Sequence, residues 1–147
     1  MKRIILAYAA GLVDGEGTIT LSREKSWSEF RHPVVVVTST TSSLVRFMKR
    51  EFGGVVSNKR ASKKGHLPSK TWAVINRKAI LFLKAMLPYL REPEKRRRAL
   101  LIIKQYLKVT PRNGRYTQEQ RKEKQNFERQ FWAGKSRYSV KRRIQCQ

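Results

Sequence analysis

The first half of the chain alternates between helical and extended patterns of apolar positions. Residues 2–13 (KRIILAYAAGLV) are rich in Ala and Leu, and Gly15 predicts that this first helix ends there. Residues 18–21 (TITL) alternate apolar and polar side chains, and residues 34–38 (VVVVT) are β-branched throughout, so both segments predict strands. The two strands are expected to form a hairpin with a long polar connection.

A second helix and a second pair of strands follow the hairpin. Ser42 or Ser43 is predicted to cap a helix over residues 44–52, and Gly53 is predicted to terminate it. The remaining predicted elements are strands over residues 55–59 and 71–75, a helix over 78–87 capped by Asn76, a helix over 95–109, and a final helix that starts at a capping box from Thr117 to Gln120.

The predicted order is α-β-β-α-β-β-α, followed by further helices. This order is typical of an α+β fold in which helices cover one face of an antiparallel sheet and leave the other face for a ligand. A chain of 147 residues is expected to form one domain. Residues 1–109 are predicted to be its core, and residues 110–147 a C-terminal helix and basic tail of the same domain.

The charge of the chain indicates a polyanionic partner. The 34 Lys and Arg against 10 Asp and Glu produce a formal net charge of +24. This charge exceeds what solubility requires, and a surface so basic favours polyanions. Nucleic acid is therefore the leading expectation, ahead of a membrane surface or an acidic protein.

The residues that are scarce exclude several kinds of site. Cys146 is the single cysteine, so no disulfide framework and no cysteine-based zinc site is expected. His32 and His66 are too few for an HNH or zinc-finger constellation, and one aspartate is too few for the acidic set of PD-(D/E)-x-K nucleases. No run of 18 apolar residues predicts a membrane span. The location is expected to be intracellular, in the cytoplasm of a prokaryote or phage host, or in an organelle.

Two acids stand at the predicted end of the first helix. The carboxylates of Asp14 and Glu16 face the negative end of the helix dipole, which costs each about 0.3–1 kcal/mol, and they repel one another. Oxygen-rich groups of this kind suit Mg²⁺, which completes its shell with water and phosphate. Alternatively, Asp14 is a turn residue and Glu16 a solvated bystander. The residues alone leave both interpretations open.

Residues 9–17 (AAGLVDGEG) resemble the LAGLIDADG motif of homing endonucleases, position for position apart from conservative replacements. The predicted order of elements also matches that family over about residues 4–108. The resemblance implies a saddle-shaped antiparallel sheet in which the motif helices of two units pack together through small residues. Because one motif is present, it implies a homodimer on near-palindromic DNA, with Ala7, Tyr8, Ala10 and Gly11 in the interface.

The resemblance also implies roles for the acids. Glu16 matches the catalytic acid that binds metal, the carbonyl of Gly15 would be a second oxygen ligand, and Asp14 matches the acid that is more structural. The family commonly has Asp where Glu16 stands, and Glu keeps the charge but adds a methylene. Two or three Mg²⁺ ions, for which Mn²⁺ can substitute, would lie between two Glu16 carboxylates and the scissile phosphates and would lower the pKa of an attacking water.

Two further catalytic residues are implied by position. Lys95 opens KRRRAL as the family's catalytic lysine opens the basic start of the corresponding helix, where it would stabilise phosphate charge or orient water. The alternative is a solvent-exposed lysine at a helix start. Ser39 follows the strand over 34–38, where a family member often carries a glutamine that holds a water, although serine is shorter.

DNA is expected to lie against the exposed face of the sheet, as in β-ribbon readers of the major groove. Most candidate side chains would contact phosphate rather than specify bases. The candidates are Thr20, Ser22, Arg23, Lys25, Arg31, Asn58, Lys59, Arg60, Lys63, Lys64, Lys70, Trp72 and Asn76, with added backbone contacts from the basic tail over residues 135–143.

The resemblance therefore implies a sequence-specific DNA endonuclease, a phosphodiester hydrolase that makes a metal-dependent double-strand break, often encoded within an intron. Two alternatives remain from other classes. One is a DNA-binding regulator of the same fold that does not cleave. The other is an intron maturase, whose partner would be RNA.

Overall fold

The structure of the protein, a computed structural model, describes residues 2–59, 67–112 and 114–134. Within these ranges the chain forms five helices and four strands, in the predicted order α-β-β-α-β-β-α followed by two further helices. The elements are α1 (Lys2–Glu16), β1 (Gly17–Ser22), β2 (His32–Ser39), α2 (Ser42–Phe52), β3 (Val55–Lys59), β4 (Ser69–Ile75), α3 (Asn76–Met86), α4 (Pro93–Gln105) and α5 (Gln118–Ala133).

The four strands form one antiparallel sheet in the order β1-β2-β4-β3. Gly17 pairs with Val37, Val37 pairs with Trp72, and Trp72 pairs with Val56, so one register runs across the whole sheet. The hairpin predicted from residues 18–21 and 34–38 is present as β1 and β2. The predicted α+β fold is confirmed.

Alternation of side chains gives the sheet two different faces. On the helix face, Ile19, Val35, Trp72 and Val74 are almost completely buried, and α1, α2 and α3 pack there. The open face consists of the even-numbered positions 18–22 of β1 and 32–38 of β2, and the odd-numbered positions 69–75 of β4 and 55–59 of β3. The burial of one face fixes the register, because a slip of one residue would exchange the two sets of side chains.

The termini of two helices differ from the sequence-based predictions. Neither Ser42 nor Ser43 caps α2, because Thr41 is the N-cap residue and makes no side-chain capping bond. Asn76 does not cap α3 but is its first residue, with φ of 54°, so β4 passes directly into the helix. Asparagine tolerates this left-handed conformation better than most residues do. The predicted stop at Gly53 is confirmed.

The chain divides into two compact units, residues 1–100 and 101–147, with the boundary inside α4. In the second unit, Thr117 Oγ1 accepts a hydrogen bond from the Gln120 amide at 3.2 Å, and Gln120 Oε1 accepts one from the Thr117 amide at 3.1 Å. This confirms the predicted capping box of α5. The grouping of residues 110–147 with the core in one domain stays a prediction. Among the described helices, none combines the length and the apolar character needed to cross a bilayer.

Candidate functional site at the junction of α1 and β1

The helix α1 passes into the strand β1 without a loop, because Glu16 ends the helix and Gly17 begins the strand. A Cβ atom on Gly17 would lie 2.6 Å from Val13 Cα and 2.7 Å from the Val13 carbonyl oxygen. No other residue fits this close approach of the two backbones. The local backbone geometry therefore requires glycine at position 17, the second glycine of DGEG. Gly17 in turn positions the preceding acid, Glu16, at the end of the sheet.

Asp14 joins α1 to the segment before α4. Its Oδ2 accepts a hydrogen bond of 2.8 Å from the Arg91 amide, 77 residues away in the chain. Its Oδ1 is buried and, in the described part of the chain, has no hydrogen-bond partner. Asp14 is thus a tertiary contact at the helix end, and its role in any reaction stays a prediction.

Lys95 supplies the positive charge that the end of α1 lacks in its own sequence. Its Nζ donates to the carbonyl oxygens of Val13 at 2.9 Å and Asp14 at 2.5 Å. These are among the last four carbonyls of the helix, which have no partner within it. The cation also complements the negative end of the helix dipole. The structure therefore brings Lys95 to the helix end that carries Glu16, while its catalytic role stays a prediction.

The following basic residues hold α4 against β1. Arg97 and Arg98 both bond to Glu94, at 2.7 and 2.9 Å, and Arg98 also donates to the Ile19 carbonyl oxygen at the sheet edge. The hydrogen bond from Arg97, helped by Arg98, holds the pKa of Glu94 below its ordinary value. The sequence-based reading missed these contacts, although the i,i+3 and i,i+4 spacing from Glu94 was available as a signal.

Glu16 differs from the other groups at this junction because its side chain is exposed and engages no other described residue. The carbonyl of Gly15 lies beside it among the last four carbonyls of the helix, which have no partner within the helix. The described residues contain no group of three or more His, Cys, Asp or Glu side chains that could hold a metal ion. One carboxylate and one carbonyl are nevertheless a donor set that fits Mg²⁺, which takes few protein ligands and completes its shell with water and phosphate.

Ser39 lies at the same end of the sheet as Glu16. Val37 pairs with Gly17, and Ser39 continues β2 two residues past that point. Its Oγ accepts a hydrogen bond of 3.1 Å from the Thr41 amide, which shapes the turn into α2. The register therefore places Ser39 at the same end of the sheet as Glu16, and the bonds of Lys95 to α1 bring Lys95 there as well. The role of Ser39 stays a prediction.

The helix α1 leaves a stripe of its surface uncovered. Ala7, Tyr8 and Gly11 are exposed, Tyr8 by 49%, and Ile4 extends the stripe with 75% exposure. Ala10 was predicted for the same surface, and that prediction is wrong, since Ala10 is 0% exposed. It lies on the side of α1 that the chain buries in its own core, together with Ala9 and Val13.

Several of the candidate DNA contacts occupy or border the open face. Thr20 and Ser22 are half-buried on β1, Arg23 and Lys25 are exposed in the connection after it, Arg31 is half-buried before β2, and Lys59 is exposed at the end of β3. Asn76 is exposed at the first position of α3. These positions place basic groups at both ends of the strands.

Three other candidates lie on the opposite side of the strands. Trp72 is 0% exposed, and its Nε1 donates to the Gly53 carbonyl oxygen at 2.8 Å, so the prediction that it contacts DNA is wrong. Asn58 and Lys70 pair with one another on the helix-face side, at the end of the sheet, and line a cleft of about 460 Å³. The expectation that these two stand on the open face is likewise wrong, because strand alternation places them with Trp72.

Arg60, Lys63 and Lys64, and the basic tail over residues 135–143, lie outside the residues that the structure describes. Their predicted contacts with DNA stay predictions.

No protein-family model matches the sequence, and no curated protein is recognisably similar to it. Solved structures are similar to it in fold. The homing endonuclease I-CvuI, in complex with its target in the presence of calcium, aligns with a TM-score of 0.57 and 24% identity over 76% of this chain and 71% of that one. A second I-CvuI complex was obtained with magnesium and uncleaved DNA.

Two further structures extend this likeness. The archaeal intron-encoded homing endonuclease I-Vdi141I, complexed with DNA, has a TM-score of 0.51 and 18% identity over 78% of this chain and 77% of that one. The LAGLIDADG homing endonuclease I-SmaMI, bound to uncleaved DNA with calcium, has a TM-score of 0.62 and 19% identity over 86% of this chain. This chain spans 44% of the length of that structure. At such identities the likeness shows the fold.

Proposed function

From the LAGLIDADG homing endonuclease fold that this chain has, we infer that it is a sequence-specific, metal-dependent DNA endonuclease that acts as a homodimer on near-palindromic sites. The observation that carries this proposal is the carboxylate of Glu16, which is exposed and engages no other described residue at a helix end that Asp14 and Lys95 hold by tertiary contacts. The acid stands where the open face of a strongly basic protein ends.

Glu16 and the Gly15 carbonyl would hold Mg²⁺ in this proposal. A divalent ion held there would stabilise charge on the scissile phosphate as a Lewis acid and would lower the pKa of an attacking water. The chain's own contribution is positional. Gly17 fixes the turn into β1, and Lys95 and Asp14 fix the end of α1, so the free carboxylate is presented without a flexible loop.

The number of free carboxylates at the junction supports a homodimer. A double-strand break acts on two phosphates, and the junction offers one free carboxylate, so two related copies of Glu16 are required. The exposed stripe of Ile4, Ala7, Tyr8 and Gly11 provides a self-complementary surface on the same helix. Small residues at 7 and 11 allow two helix backbones to approach closely. A two-fold axis there would bring both helix ends together.

The test uses Glu16→Gln, which keeps the size of the side chain and removes its charge. We expect cleavage of DNA sites selected from a randomised duplex library to be lost in Mg²⁺ and Mn²⁺, while binding is retained. Glu24→Gln is the matched control, because Glu24 is an exposed acid in the β1–β2 connection and should leave cleavage unchanged. Cleavage by the Glu16→Gln protein at the wild-type rate would remove Glu16 from the mechanism.

A second candidate function, DNA binding without cleavage, is favoured by one observation. The Lys95 ammonium group, expected to face phosphate, is bonded to two carbonyls of α1. If those bonds persist on DNA, the site lacks its second catalytic group. Sequence-selective binding by the wild-type protein with no cutting in Mg²⁺ or Mn²⁺ would identify this function. Preference for structured intron RNA over duplex DNA in competition would instead identify a maturase.

A further inference from the structure

The open face carries an unusual set of side chains for a surface that reads base sequence. One row of the register crosses all four strands and consists of Thr18, Val36, Ala73 and Val55. Each carries a methyl group, and none carries a charge or an amide. Val55 is 66% exposed, Thr18 is exposed, and the other two are half-buried.

The neighbouring rows likewise carry no charged or amide side chain. Thr20, Val34 and Ile75 form the row on one side. On the other side, the hydroxyl groups of Thr38 and Thr71 lie 3.0 Å apart and bond to one another. Because the two hydroxyl groups bond to one another, they have fewer donors and acceptors left for the edges of DNA bases. The centre of the face therefore has few groups available for base-edge hydrogen bonds.

Base recognition through paired hydrogen bonds needs Arg, Lys, Asn, Gln or an acid. These residue types are absent from the central row, so its four side chains offer mainly methyl groups to a partner. The major groove presents one apolar group of its own, the C5 methyl of thymine. Contact between these methyl groups removes apolar surface from water on both sides.

The charges at the margin identify the partner as duplex DNA rather than an apolar surface. Arg23 and Lys25 are exposed beyond one end of the strands, and Lys59 is exposed at the other end. The apolar rows lie between these cations, so the phosphates on the two sides of a groove meet positive charge while the groove floor meets methyl groups. The central row spans three strand spacings, about 14 Å. That length corresponds to about four base-pair steps at 3.4 Å each.

We propose that the row of Thr18, Val36, Ala73 and Val55 reads thymine methyl groups in the major groove, so each half-site of the target contains an A·T-rich segment of about four base pairs. This proposal rests on the proposed function, because it assumes that the open face binds duplex DNA. It assigns specificity to apolar side chains that sequence-based reasoning did not select.

The experiment compares thymine with deoxyuridine, which differs from it by the C5 methyl alone. DNA sites are first selected with the full chain from a randomised 40-base-pair duplex library in EDTA. The selected sequence is then synthesised with deoxyuridine at single thymine positions, and dissociation constants are measured. We expect each contacted position to lose about fourfold in affinity, the value for one buried methylene-sized group.

Variants of the protein assign that loss to the row. Val55→Ala, on the exposed edge strand, should shrink the difference between thymine and deoxyuridine at the position it contacts. Val36→Ser, which removes both methyl groups of the side chain, should do the same at another position. Arg23→Ala is the matched control, because loss of a phosphate contact should weaken both duplexes by the same factor.

The outcomes separate this proposal from the proposed function. Selected sites without thymine enrichment, or with equal affinity for both duplexes, would overturn the methyl-reading proposal and leave sequence-specific binding intact. No sequence-selective binding from the library, or tighter binding to anionic phosphatidylserine vesicles than to any duplex, would overturn both.

Discussion

The Nζ atom of Lys95 lies 2.9 Å from the carbonyl oxygen of Val13, and this bond closes the C-terminal end of α1 with a residue from α4. The last turn of α1 contains two acids and no basic residue. The cation at this helix end therefore comes from a residue 82 positions after Val13 in the chain. The candidate active site is built by this tertiary contact and not by the motif alone.

We predict that Lys95→Met destabilises the protein by about 1–3 kcal/mol, because it leaves two half-buried carbonyl oxygens without their donor and removes a cation from the helix end. Urea denaturation measures the loss. Lys104→Met is the control, since Lys104 is exposed on the same helix and should change stability by less than about 0.5 kcal/mol. Equal stability of the two variants would show that the Lys95 contact contributes nothing to folding.

We predict that Gly17→Ala destabilises the protein by several kcal/mol or prevents folding. The added Cβ would meet the Val13 backbone at 2.6 Å, and backbone atoms cannot move aside as a flexible side chain does. Circular dichroism and urea denaturation report the effect. Gly15→Ala is the matched control, because a Cβ at Gly15 meets nothing within 4 Å. A stable Gly17→Ala protein with an unchanged midpoint would contradict the geometry of this junction.

Replacement of Gly11 by alanine tests the dimer, because it should stabilise the monomer and weaken the association of two monomers. A Cβ at Gly11 meets nothing within 4 Å in the single chain, and alanine favours a helix over glycine by about 0.5–1 kcal/mol. We therefore predict that Gly11→Ala stabilises the monomer at low protein concentration. If Gly11 lies between two packed helices, the same change weakens the dimer by about tenfold or more, because the backbones can no longer approach as closely.

Sedimentation equilibrium measures the dimer dissociation constant, and thermal unfolding at low concentration measures the monomer. An unchanged dissociation constant for Gly11→Ala would place Gly11 outside the interface. Gly15→Ala is the control, and its dimer dissociation constant is compared with that of Gly11→Ala, since Gly15 is an exposed glycine of the same helix.

The order of elements could be predicted because apolar periodicity and turn residues are local. The capping box of α5 and the stop at Gly53 are likewise decided within a few residues. The start of α2 was missed because Ser39, before the helix, binds the Thr41 amide instead. The start of α3 was missed because Asn76 takes a left-handed conformation inside the helix.

It was harder to predict from the sequence which side of a helix or strand faces the core. Ala10 was assigned to the exposed stripe and Trp72 to the open face, and both are completely buried. A slip of one residue exchanges the two faces of a strand, and a rotation of a helix about its axis changes which of its residues are buried. Tertiary packing decides both. The contacts of Lys95 and Arg98 with α1 and β1 escaped prediction for the same reason, since each joins segments about 80 residues apart.

The second unit contains a buried lysine whose charge is costly. Lys124 is 0% exposed, its Nζ donates to Thr110 Oγ1 at 2.7 Å, and it lies 3.7 Å from the centroid of the Tyr106 ring. Burial lowers the pKa of Lys124 from 10.5 to about 8, against an opposing effect of the Glu128 carboxylate. The ammonium group is therefore less stable in the folded protein than in the unfolded chain.

The sign of the pH dependence follows from this shift. Below pH 8 both states hold the proton, so the folded state carries the whole penalty, on the order of 3 kcal/mol. Between about pH 8 and 10.5 the folded state releases the proton while the unfolded chain keeps it, so the contribution of Lys124 to stability rises with pH. We predict that Lys124→Met raises the free energy of unfolding at pH 7 by about 1–3 kcal/mol, because a buried charge is replaced by an apolar side chain of similar length.

Urea denaturation at pH 7 and at pH 9.5 measures both effects, and the Lys124→Met protein should lose the stability gain between these values that the wild type shows. Lys122→Met is the control, because Lys122 is exposed on the same helix and should leave the pH dependence unchanged. Destabilisation of Lys124→Met at pH 7 would show instead that the bonds to Thr110 and the Tyr106 ring outweigh the cost of burying the charge.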